Sequence, residues 1–247
     1  MIISPIKTDI IKPSQVSILD IIDKFLPVLN EGTVIAISSK IVSLCEGSVA
    51  DPDQVPKDKL IKQNAQLYLD RNLSKFGTML TITKNTLMLA AGIDESNSAG
   101  MYVFWPKNPL ATAKQVYDHL IAKNNIKNLG IVICDSTSKP MRLGTVGVSL
   151  AHYGFKEIND YRGKQDLFGK TMEVTRANIA EGLATSAVLA MGEGIEQTPI
   201  ALISDVSFAV FGNEHFGSSY NAVEDYREDV YEPILSSPKW HTGDDKI

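Results

Sequence analysis

Apolar positions recur along the chain with helical and strand periods, and the elements they predict follow no strict β-α-β order. After a polar, proline-containing opening, Ile18, Ile22, Phe25 and Leu29 repeat at helical spacing, and Ser14 is placed to cap that helix. Pro27 falls in its last turn. Thr33-Val-Ile-Ala-Ile37 is rich in β-branched residues and predicts a buried strand that ends at Ser38-Ser39-Lys40. A charged connector over 51–59 precedes a predicted helix over 60–73. Residues 80–89 alternate about Lys84-Asn85, the pattern of a β-hairpin, and run straight into Ala90-Ala-Gly-Ile-Asp-Glu-Ser-Asn97.

A second connector over 106–109 leads to a predicted helix over 111–123. The buried strand Leu129-Gly-Ile-Val-Ile-Cys134 follows, ending at Asp135-Ser136-Thr137. Residues 143–153 predict a strand in which Gly144 and Gly147 allow a bulge or a close backbone approach. Beyond a polar segment over 159–169, Ile179, Leu183, Ala187 and Ala190 trace one face of a helix over 175–191, stopped by Gly192-Glu193-Gly194. A strand over 199–203 precedes a Gly-, Asp- and Tyr-rich tail, 206–247, that reads as a short appended layer. Irregular mixing of helices with strands favours an α+β fold of mixed and antiparallel sheets with interleaved helices over a doubly wound sheet. One domain over 1–247, or two interleaved lobes, is the expected organisation.

Composition narrows the class. The 247 residues are 44% hydrophobic and 21% charged, with no self-similar period, so the chain is neither disordered, fibrous nor a repeat array. A net charge of -5 disfavours a nucleic-acid coat, which needs a basic surface. Cys45 and Cys134 each lie in an apolar run without C-x-x-C spacing, so neither a disulfide framework nor a structural zinc site is readable. No signal-peptide pattern or apolar stretch of about 20 residues occurs, and a cytoplasmic protein without a membrane partner is the expectation.

The phosphate-loop, dinucleotide, zinc-protease and hydrolase motifs are missing. His119, His152, His215 and His241 are scattered without ligand spacing and are expected to be structural or solvated. What remains is a set of oxygen-bearing residues at element ends: Asp94, Asp135 with Ser136, and Glu193. On spacing alone they admit two readings. They could hold magnesium or manganese, since hard cations take carboxylate and hydroxyl oxygens; equally, the aspartates could bond their own turns and Glu193 could be a solvated helix-end charge.

Five stretches carry a resemblance: Ser39-Lys-Ile-Val-Ser-Leu-Cys-Glu-Gly47, Ala91-Gly-Ile-Asp-Glu-Ser-Asn97, Asp135-Ser-Thr-Ser-Lys-Pro-Met-Arg142, Tyr161-Arg-Gly-Lys-Gln-Asp-Leu-Phe-Gly169 and Met191-Gly-Glu-Gly-Ile-Glu-Gln-Thr-Pro199. In order and approximate spacing they resemble the coenzyme F-420 gamma-glutamyl ligase family, from about Ile6 to about Asp205. The tail, with Asp229-Val-Tyr-Glu-Pro-Ile-Leu235 and Trp240, looks more like a bacterial branch assigned to folate metabolism. The resemblance implies the fold of that family, a homodimer, L-glutamate and a folate or F-420-like acceptor as substrates, and GTP or ATP as co-substrate. It also implies two divalent cations, magnesium or manganese, with potassium as a further aid.

By the same resemblance Asp94, Asp135, Ser136 and Glu193 match metal ligands, and Ser39, Lys40 and Asn97 match nucleotide contacts. Lys40 and Arg142 are implied in catalysis, the guanidinium as a clamp for phosphate or carboxylate. Lys139, Arg162 and Asp166 are candidate substrate contacts. The chain departs from the family at Leu44, where a second lysine is common, and at Ser138, Lys139 and Met141, which replace glycine, arginine and tryptophan. These departures point towards a folate rather than F-420-0 and away from guanine as the preferred base. The alternatives are an F-420-0 ligase and a nucleotide- or metal-binding protein without turnover.

Overall fold

A computed structural model describes residues 1–212, 216–219 and 225–245. His215 lies outside the described residues. The chain opens with β1 (Ile2–Ile6), α1 (Ile18–Phe25), β2 (Thr33–Ser38) and α2 (Ser39–Glu46). A smaller unit follows, made of β3 (Val49–Ala50), α3 (Lys57–Asn64), β4 (Leu67–Tyr68), the hairpin β5 (Leu80–Thr83) and β6 (Thr86–Leu89), and β7 (Tyr102–Val103). α4 (Pro109–Asn124), β8 (Leu129–Ser138) and β9 (Thr145–Tyr153) rebuild the main body, and β10 (Ile158–Asp160) pairs with β11 (Arg176–Asn178). α5 (Ile179–Met191), β12 (Ile200–Ser204), β13 (Gly217–Ser219), α6 (Glu232–Leu235) and β14 (His241–Thr242) complete the order.

The main sheet runs β1-β12-β2-β8-β9-β13, with β2 and β8 parallel and the other neighbours antiparallel. This is a mixed α+β architecture. Alternation along β2 divides the core: Ile35 and Ile37 pack with α1, α2 and α4, whereas Val34 and Ala36 pack with α5. Burial on both faces explains the unbroken apolar runs of β2 and β8. The small sheet β14-β4-β5-β6 lies beside a separate core of Leu60, Ile61, Ala65, Met79, Ala91 and Ile93.

Four expectations are revised. Ser17, not Ser14, caps α1: its hydroxyl accepts from the Asp20 amide while the Asp20 carboxylate accepts from the Ser17 amide, a capping box. The helix predicted over 60–73 is α3, which stops at Asn64, because Leu67 and Tyr68 pair with β5 and β14. β8 passes the expected end at Cys134 by four residues, because β9 continues to pair with it after β2 has ended. The tail contributes strands to both sheets, β13 against β9 and β14 against β4.

The anticipated close approach falls at Gly147. A Cβ there would lie 2.4 Å from the Ala184 carbonyl oxygen of α5, and Thr185 Oγ1 donates to the Gly147 carbonyl at 2.9 Å. Gly147→Ala should therefore push α5 off β9 and cost about 1–3 kcal/mol, the usual range for overpacking. Urea unfolding checks this; an unchanged midpoint would show that the helix yields without penalty.

Candidate functional site

β2 and β8 end side by side, Ser38 opposite Cys134, and each leads at once into polar residues. β2 hands over to α2, which begins with Ser39 and Lys40, while β8 continues through Asp135 and Ser136. The register shift between Ile133 and Cys134 leaves Leu150 as the extra residue of a bulge in β9, and the Ser149 amide donates to Glu181 Oε1 at 3.1 Å. Bulges of this kind bend and re-aim a strand.

Asp135 is gripped from several sides. Its Oδ2 accepts from the Trp105 indole N–H at 2.5 Å, its Oδ1 accepts from the Ser136 amide at 2.8 Å, and the buried Ser39 side chain bonds it as well. Burial nevertheless dominates and pushes its pKa up to about 6, and the nearby Asp94 charge adds to the rise. Ser136, next along the strand, donates from Oγ to Glu193 Oε2 at 3.2 Å, just past the end of α5.

Asp94 lies in the segment between β6 and β7, bridged to Val103 by two backbone hydrogen bonds. Its carboxylate accepts from the Glu95 and Ser96 amides at 2.6 and 2.9 Å and meets Lys40 Nζ at 2.5 Å. Burial opposes ionisation here, but hydrogen bonds from Lys40 and Ser96 outweigh it and hold the carboxyl below its ordinary range. Lys40 also donates to the Ser96 carbonyl at 2.8 Å, and Asn97 Nδ2 donates to the Gly194 carbonyl at 2.9 Å.

Lys40, Asp94, Asn97, Asp135, Ser136 and Glu193 line one cleft of about 520 Å³. Leu44 lines it too, with Ile11 and Ile41. The remaining candidates do not line it. Lys139 and Arg142 lie exposed in the β8–β9 turn, where Arg142 donates to the Met141 carbonyl. Arg162 is exposed and bonds Asp160 through both carboxylate oxygens; Asp166 accepts from the Phe168 and Lys170 amides and shapes its own turn.

Among the described residues no three His, Cys, Asp or Glu side chains converge as a metal-sized group. The donor chemistry of the cleft still suits a hard cation. Asp94, Asp135, Ser136 and Glu193 offer carboxylate and hydroxyl oxygens, no imidazole lines the cleft among the described residues, and the charge of Asp135 is only partly compensated. Of the described histidines, none lines the cleft: His119 meets Asp23 at 2.7 Å, His152 is buried against Phe155 and His241 stacks on Tyr68. Both cysteines are free, with burial pushing the Cys45 thiol up to about 11 and Cys134 higher still.

Trp105 escaped the sequence reading. It belongs to none of the five stretches and sits just before the 106–109 connector, where nothing marks its N–H as a carboxylate partner. Gly92, inside a recognised stretch, is explained by it: a Cβ at Gly92, at φ +70°, would lie 2.5 Å from the indole.

A strand-end cleft that sets a lysine among carboxylates and hydroxyls is suited to handling phosphate and carboxylate groups, and the comparisons give that chemistry a class. The coenzyme F420:L-glutamate ligase of Methanocaldococcus jannaschii is 32% identical over 218 residues, covering 82% of this chain and 86% of the relative. The ligase of the same name from Methanosarcina mazei is 30% identical over 208 residues, covering 78% and 81%. The protein is thus an amide-forming ligase of the acid–amino-acid type. The F420-0:gamma-glutamyl ligase family model matches residues 5–205, and the chain belongs to that family.

The Asp135 environment predicts a pH dependence. A carboxyl raised from 3.8 to about 6 on folding binds its proton more tightly in the folded chain, so its contribution to stability falls as pH rises from about 4 to about 6. Asp135→Asn lacks this titration. Its stability relative to the metal-free wild type should therefore rise by about 2 kcal/mol between pH 4.5 and 7.5, at 1.36 kcal/mol per unit. Urea unfolding at pH 4.5 and 7.5 in chelator measures the difference; a pH-independent gap would sink the assignment.

Proposed function

We propose that the cleft adds L-glutamate to the carboxylate of an F-420-0-like acceptor, driven by ATP or GTP. The observation that carries this reading is the placing of Lys40, Asp94, Asp135, Ser136 and Glu193 around one cleft at the ends of β2 and β8. The names of the relatives support this acceptor over the folate expected from the sequence. In the proposed reaction an acceptor carboxylate oxygen attacks the γ-phosphorus, displacing the nucleoside diphosphate and forming an acyl phosphate. The glutamate amine then attacks the acyl carbon, and inorganic phosphate leaves as the amide forms.

Asp94, Asp135, Ser136 and Glu193 would hold two magnesium or manganese ions, whose chemistry when bound is to neutralise charge on the phosphates. Lys40 supplies a further positive charge, and its contacts with Asp94 and Ser96 fix its place before substrate arrives. Ser39 holds the Asp135 carboxylate from the start of α2. Asn97, through Gly194, joins the Asp94 loop to the end of α5 and narrows the route for water that would hydrolyse an acyl phosphate.

One observation favours a second acceptor. Leu44, where the family often has lysine, forms an apolar wall with Ile11 and Ile41, which suits the uncharged ring of a folate better than an additional anion. A homodimer is part of the same proposal. Met141, Leu143, Leu167 and Phe168 are exposed on the two segments whose charged residues do not line the cleft, and a second copy would cover them.

Phosphate release and glutamylated product are to be measured with L-glutamate, magnesium or manganese, ATP or GTP, and with or without potassium. F-420-0 is compared with tetrahydrofolate monoglutamate. Product with F-420-0, reduced at least about 100-fold in Asp135→Ala, is expected; product with the folate alone would reverse the choice of acceptor. Light scattering of wild type and Phe168→Asp should give a dimer and a monomer, and a monomeric wild type would remove the dimer.

A further inference from the structure

We propose that Trp105 is the positioning residue of the oxygen cluster, its indole N–H orienting the Asp135 carboxylate while its ring seats the loop that carries Asp94. This rests on the reading of both aspartates as divalent-cation ligands.

An indole nitrogen donates one hydrogen bond and accepts none, so Trp105 can orient a carboxylate but cannot compete with it for a cation. The geometry uses that property. Trp105 holds Oδ2 of Asp135 and the Ser136 amide holds Oδ1, so two donors from different segments define the plane of the carboxylate. With Ser39 bonding the carboxylate as well, three of its roughly four acceptor sites are taken and one is left for a further partner. The ring is itself held in place, only 8% exposed, by Met88 of the β5–β6 hairpin and by Val148 and Leu150 of β9.

Contact with the second acidic segment is just as direct. Gly92 packs against Cε2 and Nε1 of the ring so closely that a Cβ would overlap both at 2.5 Å, and Asp94 follows two residues later. One buried ring therefore touches both acid-bearing segments, one from the small unit and one from the main sheet. Groups that orient metal ligands in this way typically change affinity 10–100-fold when removed.

Trp105 and Trp240 are the only two tryptophans, so Trp240→Phe leaves Trp105 as the sole indole emitter. In that background manganese(II) is titrated while indole emission is followed and free manganese is counted by electron paramagnetic resonance. Saturable quenching is expected, and Asp135→Ala should abolish it. Trp105→Phe should raise the manganese dissociation constant about tenfold or more while the melting temperature moves by only a few degrees. Wild-type affinity in Trp105→Phe would overturn the proposal and leave the cation reading standing, as would Trp105 emission indifferent to manganese that resonance shows to be bound. A wild type that binds no manganese overturns both. Should Trp105→Phe fail to fold, the emission titration of the Trp240→Phe protein decides.

Discussion

The parallel pairing of β2 with β8 is the constraint from which the cleft follows. In a sheet whose other neighbours are antiparallel, it is the one pair that brings two carboxyl ends to the same edge. Ser38 reaches that edge opposite Cys134, so α2 starts beside the point where β8 extends beyond its partner. Lys40 and Asp135 thus reach one cleft although 95 positions separate them in the chain. Such a pair needs cover on both faces, and the helices supply it: α1, α2 and α4 over Ile35 and Ile37, α5 over Val34 and Ala36.

The same arrangement places a carboxylate where burial disfavours its charge. Trp105, Ser39 and the Ser136 amide donate to Asp135 without returning it to the ordinary carboxylate range, whereas Asp94, with Lys40 beside it, lies below that range. Two aspartates near one another therefore differ in what they lack: Asp94 already has a cation, Asp135 does not. That asymmetry suits a site that binds positive charge, because the missing compensation becomes binding free energy when a cation arrives.

Local physics dominated where the sequence was legible. Lys84 and Asn85 both take positive φ in a two-residue turn, as the alternation on either side required, and the stop at Gly192 has glycine-favouring geometry. The five stretches were legible by resemblance, and four of them, with Lys40, Asp94, Asp135 and Glu193, meet in the cleft. What escaped was set by distant partners. Asp135 looks like a strand end until β9 is seen to extend the ladder, and Leu67-Tyr68 looks helical until β5 and β14 flank it. The N–H of Trp105 has no meaning until Asp135, 30 residues away, lies under it.

The links across the cleft mouth differ in kind from the layers behind them. Asn97 to Gly194, Lys40 to Ser96 and Ser136 to Glu193 are all exposed, so each adds no more than about 1 kcal/mol net. The walls instead rest on buried side chains of α2, β8 and α5, several kilocalories per mole for each large one removed. Parting the mouth therefore costs a small fraction of what disturbing the wall would cost. The mouth can therefore open by exchanging these weak links for other contacts, while the Asp135 carboxylate stays fixed from behind by Trp105 and the sheet.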